Sequence, residues 1–216
     1  MSEFPRRRPM LLAALLLLAV LGVTLAIAGL HGYHLLRVGN DEMAPSIQPG
    51  DWVLLGPGPV TRGDVVRLVD PLDPQRRVLR RVLAEPGERI AFRGHQPRLD
   101  GQALKHVVMG DADGEMVLME SSAWLLAVSL ETTRYTADPV LVPEQQLFLV
   151  ADHRDRSIDS RHWGTIPSTG LEKVHLRLGP GDVWRSLVFR PRQTVRPEIP
   201  LLPYQVPDDL KEQLDG

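Results

Sequence analysis

The 216-residue chain contains no cysteine, which excludes disulfide bonds and thiolate metal sites. It is also poor in lysine, because its cationic residues are mostly arginine and the only lysines are Lys105, Lys173 and Lys211. A mechanism that needs a neutral amine therefore has few candidates, since arginine is not deprotonated in proteins. The formal net charge of −2 is close to neutral, so no nucleic-acid partner is indicated.

The chain has seven histidines, and they are scattered without the regular spacing of metal ligands. Surface or turn positions are the simpler interpretation of these residues. We therefore expect no metal site and no cofactor.

The N-terminus carries an uncharged apolar run from Met10 to Leu30, directly after the basic cluster Arg6–Arg8. At about 1.5 Å per residue, such a helix spans the roughly 30 Å hydrocarbon core of a bilayer. The arginines predict a cytoplasmic N-terminus (residues 1–9), a transmembrane helix in contact with lipid (residues 10–30) and an exported remainder. The alternative is a cleaved signal peptide with Ala26-Ile27-Ala28 as its small-x-small site, although the run is long for that.

Beyond the apolar run, short β-rich stretches alternate with clusters of glycine, proline and aspartate. This pattern is typical of an all-β domain, which we assign to residues 31–190. Asp100-Gly101 predicts a tight hairpin turn. The predicted strands include Asp51–Leu55, Asp64–Val69, Arg77–Ala84, Arg89–Phe92, Val117–Met119, Trp124–Leu130 and Gln146–Val150.

The C-terminal segment, residues 191–216, is rich in proline, which breaks regular secondary structure. We expect a linker or an extended segment lying over the domain surface. Its composition also allows a recognition segment for another protein.

The segment Val38–Asp51 resembles the nucleophile segment of bacterial type I signal peptidases, a family of Ser/Lys peptidases. It retains Met43 and Pro45 of the family's Ser-Met-x-Pro motif, but Glu42 occupies the position of the serine. Asn40 falls where the family places a serine side chain that helps to hold the oxyanion, so its amide would at most help to bind the carbonyl of a peptide. The resemblance thus implies a site without its nucleophile.

Three further segments resemble the same family in the same order along the chain. Arg62–Val66 is similar to its Gly-Asp-Val-Val strand, and Val78–Glu88 is similar to the segment with the general-base lysine, where this chain has Arg80. Val150–Gly164 is similar to the family's Gly-Asp-Asn-Arg-Asp-x-Ser-x-Asp-Ser-Arg-x-x-Gly signature, with departures at Ala151 and His153. The resemblance implies an antiparallel β-domain outside a bacterial plasma membrane, held by one N-terminal transmembrane helix.

The resemblance also implies a set of site positions around the two replaced residues. In the family, the last segment supports the lysine, and Ser157 and Asp159 stand at the matching positions here. The matched positions are Asn40, Met43, Pro45, Arg81, Asp152, Arg154, Ser157, Asp159, Ser160 and Arg161.

The residues at the two dyad positions cannot perform Ser/Lys chemistry. That chemistry needs a hydroxyl that attacks the scissile carbonyl and a neutral amine that accepts its proton. Glu42 has no hydroxyl, and Arg80 stays charged. We instead expect the two opposite charges to form an ion pair, with Arg80 offering its guanidinium fork to the carboxylate.

Other residues could in principle replace the missing groups. Ser46 lies beyond Pro45, and no lysine is apparent beside it. The run from Asp152 to Ser157 contains Asp, His and Ser, but proximity in sequence is poor evidence for triad geometry. A turn network that shapes the domain is the simpler interpretation of that run.

The sequence therefore predicts a membrane-anchored, catalytically inactive signal-peptidase-like protein. Its role would be to bind an extended peptide or to serve as a structural subunit of a membrane complex. The alternative is a signal peptidase that cleaves exported preproteins with altered catalytic residues.

Overall fold

A computed structural model describes residues 8–112, 115–121, 123–129 and 136–179. The predictions for residues 1–7, for the end of the domain at residue 190 and for the proline-rich tail 191–216 lie outside these ranges.

One apolar helix, α1 (Arg8–Leu30), precedes all the strands. It is long and apolar enough to cross a membrane. The helix ends where Gly32 adopts a left-handed backbone (φ 83°) and the Tyr33 amide donates to the Ala28 carbonyl (3.0 Å). Tyr33 then packs against Gly56, where a Cβ atom would lie 2.3 Å from the tyrosine ring. The helix is thus followed directly by the first strand of the β-domain.

Fourteen strands, one 3-10 helix and one short α-helix follow α1 within the described residues, and every pairing between the strands is antiparallel. The all-β fold class with one N-terminal apolar helix is confirmed. The strands are β1 (His34–Arg37), β2 (Trp52–Gly56), β3 (Val65–Asp70), β4 (Asp73–Ala84), β5 (Arg89–Arg93), β6 (Gln96–Leu99), β7 (Gln102–Ala103), β8 (His106–Ala112), β9 (Glu115–Glu120), β10 (Trp124–Ser129), β11 (Thr136–Leu141), β12 (Gln146–Val150), β13 (Ile166–Pro167) and β14 (Glu172–Leu178). A 3-10 helix covers Arg154–Arg156, and α2 covers Ser160–Trp163.

The strands form three sheets. The largest has the order β1-β2-β14-β3-β4-β12-β13, and the others are β10-β9-β8 and β11-β5-β6-β7. The predicted hairpin turn lies between β6 and β7, where Asp100 and Gly101 both have positive φ (49° and 80°). A two-residue turn with this geometry matches the twist of the strands it joins, which explains why the short signal was sufficient.

The long strand β4 positions the candidate site. On one side β3 pairs with β4 from Asp70–Asp73 to Val65–Arg81. On the other side β12 pairs only with residues from Arg81 to Ala84. The first part of β4 therefore has one edge without a ladder partner among the described strands.

Two apolar clusters pack against the segments that carry the site residues. One joins the loop after β1 to β2, β3 and β4, and the other fills the space between β3, β4 and β12. Met43 is 1% exposed and anchors the loop in the first cluster, which contains Val38, Met43, Ile47, Val53, Leu55, Val65, Leu79 and Ala151. Burial of apolar side chains at these positions fixes the polar residues between them.

Candidate functional site

Glu42 and Arg80 are in direct contact, as the sequence predicted, but through one nitrogen of Arg80 and not through the guanidinium fork. Arg80 Nη1 donates to Glu42 Oε2 at 3.1 Å. The Arg80 side chain is 0% exposed and that of Glu42 is 12% exposed. A charge removed from water to this extent needs compensation, and the carboxylate provides it.

Arg80 is held by more than its ion pair. Its Nε and Nη2 donate to the Ile158 carbonyl at 3.2 and 2.8 Å, and Nη1 also donates to the Leu79 carbonyl at 2.6 Å. The guanidinium carbon lies 5.5 Å from the centre of the Trp163 ring, within the range of a cation–π contact. These contacts fix a permanent cation at the centre of the site.

The other oxygen of Glu42 contacts Arg76, a residue that the sequence analysis did not identify. Arg76 Nη2 donates to Glu42 Oε1, and Arg76 Nη1 lies 3.4 Å from Asp70 Oδ2. Arg76 and Arg80 lie on one face of β4 because side chains four positions apart along a strand share a face. The spacing of four residues between Arg76 and Arg80, around the start of a predicted strand, could have indicated that both face the same site.

Asn40 also binds the carboxylate rather than presenting a free amide. Its Nδ2 donates to Glu42 Oε2 at 3.0 Å. The expected role of this amide, binding the carbonyl of a peptide, is limited because one of its donors is engaged by Glu42. Glu42 therefore accepts from two guanidinium groups and one amide.

The loop that carries Glu42 is fixed through its backbone as well. The His153 amide donates to the Glu42 carbonyl at 3.0 Å, and Ser157 Oγ donates to the same carbonyl at 3.5 Å. Pro45 is partly buried next to Met43, whose side chain is in the core. The orientation of Glu42 thus depends on the segment that contains His153 and Ser157.

The segment from Asp152 to Arg161 supports Arg80, but not through the side chains that the resemblance implied. The contact comes from the backbone carbonyl of Ile158.

Asp159 instead caps the start of α2, where it accepts from the Arg161 amide (3.1 Å), and it also accepts from the Ala151 amide (2.9 Å). Ser160 Oγ accepts from the Leu149 amide at 3.0 Å. Arg161 Nε donates to Asp159 at 2.8 Å. These side chains therefore have a structural role, since they fix the turn between β12 and α2.

Arg81 and Asp152 form a second buried ion pair beside the first. Arg81 Nε and Nη2 donate to the two carboxylate oxygens at 2.7 and 2.5 Å, and Nη1 donates to the Gly63 carbonyl at 2.6 Å. The guanidinium carbon lies 5.2 Å from the centre of the Trp124 ring. This bidentate geometry joins β4 to the segment that follows β12.

A third buried pair links the segment to the three-stranded sheet. Arg154 Nη2 donates to Glu120 Oε2 at 2.9 Å, and Glu120 also contacts His106 Nε2 (2.7 Å) and Trp124 Nε1 (3.1 Å). Burial raises the pKa of the Glu120 carboxyl, but Arg154 and His106 outweigh this effect and hold the pKa below its usual value. Glu120 is therefore an anion in the folded domain at neutral pH.

His153 connects the Glu42 loop to β9. The sequence did not predict this connection. Its Nε2 lies 2.8 Å from Glu115 Oε1, and its Nδ1 lies 3.3 Å from the Asp41 carbonyl. Arg156 bridges the same two acidic residues, at 2.9 Å from Glu115 and 3.3 Å from Asp41. The partners are distant in sequence, so no local pattern could have identified them.

The remaining candidates for hydrolytic chemistry are not assembled into a site. Asp152 is paired with Arg81, and Asp155 Oδ2 accepts from the Ser129 amide at 2.6 Å. Ser46 Oγ donates to the Leu125 carbonyl at 2.7 Å. Lys173 Nζ pairs with Asp64 (2.7 Å), and the described residues contain no cluster of metal-binding side chains. These side chains therefore form ion pairs and hydrogen bonds to backbone groups of the domain.

Comparisons with known proteins show which family the chain is similar to. A family model described as signal peptidase, peptidase S26, matches residues 9–174. The chain is 28% identical over 163 residues to the mitochondrial inner membrane protease subunit 2 of Mus musculus, covering 70% of each chain. It is 25% identical over 174 residues to a probable signal peptidase I-1 of Synechocystis sp., covering 73% of this chain and 79% of that protein.

Among solved structures, a signal peptidase I from Enterococcus faecalis is 25% identical, covers 54% of this chain and 97% of that one, and has a TM-score of 0.36. The family model spans most of the 216 residues, including the loop of Glu42, strand β4 and the segment from Asp152 to Arg161. The chain therefore belongs to the peptidase S26 signal peptidase family.

Proposed function

We propose that this protein is a catalytically inactive member of its family, in which Glu42 and Arg80 occupy the positions of the nucleophile and the general base. The supporting observation is the buried contact between the two residues. Arg80 is 0% exposed and donates to Glu42, Leu79 and Ile158, so it cannot accept a proton from a nucleophile. Loss of either member of a catalytic pair typically reduces the rate by several orders of magnitude.

The protein would act as a binding or structural subunit of a membrane complex. Residues 10–30 form its anchor, residues 31–190 its β-domain on the outer face of a bacterial plasma membrane, and residues 191–216 a proline-rich tail. An extended peptide would add to the uncovered edge of β4, where main-chain hydrogen bonds supply affinity. The alternative, a signal peptidase with altered residues, is supported by family membership alone.

The decisive experiment is incubation of the full chain in detergent with a preprotein, beside an active family member as positive control. We expect no cleavage by this chain. The double variant Glu42→Ser, Arg80→Lys should gain weak activity, whereas the matched control Arg77→Lys should gain none. Cleavage after a small-x-small site that Ser46→Ala abolishes would contradict the proposal and identify Ser46 as an alternative nucleophile.

The partner can be identified by affinity purification from detergent-solubilised membranes. A defined membrane protein that is recovered with the wild-type chain would support the subunit role. Recovery should persist with Glu42→Ser, because that variant alters the centre of the site and leaves α1 and the outer surfaces unchanged. Recovery of processed exported proteins as reaction products would instead favour the enzymatic alternative.

A further inference from the structure

The negative charges of Glu42 and its neighbour Asp70 are balanced partly by a buried arginine and partly by an exposed one. Two largely buried carboxylates, Glu42 (12% exposed) and Asp70 (6%), lie on either side of Arg76, and of the two only Glu42 contacts the fixed cation Arg80 (0%). The balance is completed by Arg76, whose side chain is 45% exposed. Without Arg76 the group would carry one uncompensated negative charge.

Arg76 differs from Arg80 in how firmly it is held. Arg80 donates to two backbone carbonyls and contacts an aromatic ring in addition to its ion pair. Arg76 is held through its contacts with the two carboxylates. A half-exposed arginine held in this way can turn into solvent when another cation takes its place, because the two carboxylates then stay paired.

The uncovered edge of β4 begins beside this group. The ladder with β12 starts at Arg81, and the described residues make no backbone hydrogen bonds with residues 76–78 apart from the ladder with β3. At the two ends of this stretch, the Gln75 amide donates to Asp73 and the Leu79 carbonyl accepts from Arg80. A free strand edge presents unpaired backbone groups and accepts an extended chain. A peptide on this edge would bring its side chains next to Arg76 and Glu42.

We propose that Glu42 and Asp70 form a subsite for a basic side chain of an extended peptide, and that Arg76 occupies this subsite when no peptide is bound. The inference rests on the proposed function, because it adds a specificity to the peptide-binding edge of β4. A guanidinium group of the peptide reproduces the planar contacts of Arg76 with the carboxylates. Binding exchanges one cation for another, so the charge of the buried group stays balanced.

The exchange makes Arg76 a competitor of the ligand. A competitor tethered to the same strand lowers the apparent affinity in proportion to the time that it occupies the subsite. Arg76→Ala should therefore strengthen binding of a peptide that carries arginine. It should leave unchanged the binding of a peptide in which citrulline, a neutral isostere, replaces the arginine.

The test uses the full chain in detergent micelles and two capped heptaalanine peptides, one with a central arginine and one with a central citrulline, measured by calorimetric titration. We expect Arg76→Ala to raise the affinity for the arginine peptide about tenfold, equivalent to about 1.4 kcal/mol, and to change that for the citrulline peptide less than twofold. Arg77→Ala is the matched control, because Arg77 is exposed on the opposite face of β4. It should change neither affinity. Adding Glu42→Gln to Arg76→Ala should abolish the gain.

The possible failures are distinguishable. Equal affinities of the two peptides for Arg76→Ala would overturn the basic subsite while leaving the peptide-binding edge intact. Absence of binding by either peptide to every variant would overturn both the subsite and the peptide-binding form of the proposed function. Arg76→Gln serves as a second variant if the alanine variant does not fold, since it keeps much of the length of the side chain and removes the charge.

Discussion

Arg81 and Asp152 are joined by a buried bidentate ion pair at 2.7 and 2.5 Å, one residue away from the contact between Arg80 and Glu42. Consecutive residues of a strand point to opposite faces, so the two arginines serve different layers of the domain. Arg80 faces the apolar group that includes Trp163, and Arg81 contacts Trp124. The double arginine of β4 thus connects both sides of the sheet to the segment after β12.

Replacement of Arg81 by lysine should destabilise the domain although it keeps the charge. A lysine cannot reproduce the two parallel hydrogen bonds to Asp152, the bond to Gly63 and the stacking on Trp124. We expect a loss of about 1–3 kcal/mol in the free energy of unfolding, in the range for hydrogen bonds to charged groups. Urea unfolding monitored by tryptophan fluorescence would measure it.

The control for this substitution is Arg93→Lys, because Arg93 is exposed at the end of β5 and lies outside the charge network of the site. The control should change the stability by less than about 0.5 kcal/mol. A similar effect of both substitutions would mean that the bidentate contact contributes nothing specific.

Acid should weaken the attachment of the three-stranded sheet through Glu120. The pKa of this carboxyl is lower in the folded than in the unfolded state, where it lies near 4.5. The unfolded state therefore binds the proton more readily, and the free energy of unfolding rises with pH. The contribution is present above about pH 4.5 and is lost as the pH falls through the folded-state pKa.

Unfolding free energies of wild type and Glu120→Gln, measured in urea from about pH 3 to pH 7, would test this dependence. The wild type should lose more stability than the variant below about pH 4.5, and the difference between them should be constant above about pH 6. Parallel curves over the whole range would contradict the role assigned to the ion pair with Arg154.

The topology gives a prediction that does not depend on the site. If α1 remains attached, protease added to spheroplasts should digest the β-domain and leave a membrane-bound fragment that contains residues 10–30. The physical reason is the basic cluster before the apolar helix, which favours a cytoplasmic N-terminus. A mature chain that begins at Gly29 would show instead that the helix is a cleaved signal peptide.

Local signals in the sequence predicted seven of the fourteen strands in the described residues and little of the site's charge network. The strand Gln146–Val150 and the turn at Asp100-Gly101 agree with the structure because adjacent residues determine them. The strand β4 begins at Asp73, four residues before the predicted start at Arg77, although Pro74 is a residue that disfavours strand interiors. Pairing with the preceding strand β3 across a short turn outweighed that local preference.

The contacts of Glu42 also show that local sequence signals do not predict contacts between distant residues. Its ion pair with Arg80 was predicted only because a family resemblance placed the two residues together. Its contact with Arg76 and the pairing of His153 with Glu115 join residues 34 and 38 positions apart. Their proximity depends on the registers of β4 and β9, which no short sequence pattern specifies.

The contact between Glu42 and Arg80 makes the last prediction, a double-mutant cycle on the free energy of unfolding. Arg80→Ala should cost about 3–5 kcal/mol, because it removes a buried cation, takes away one of the three donors to Glu42 and leaves two backbone carbonyls without their side-chain donor. Glu42→Ala should cost less, since Arg80 keeps its bonds to Leu79 and Ile158 and Glu42 is partly exposed. The double variant should be more stable than the sum of the single losses implies, by about 1–3 kcal/mol. The same cycle with Glu42 and Arg77 is the matched control and should give no coupling. Additive losses for Glu42 and Arg80 would show that the two charges do not stabilise each other in solution, and the proposal that they replace the catalytic pair as a structural one would then fail.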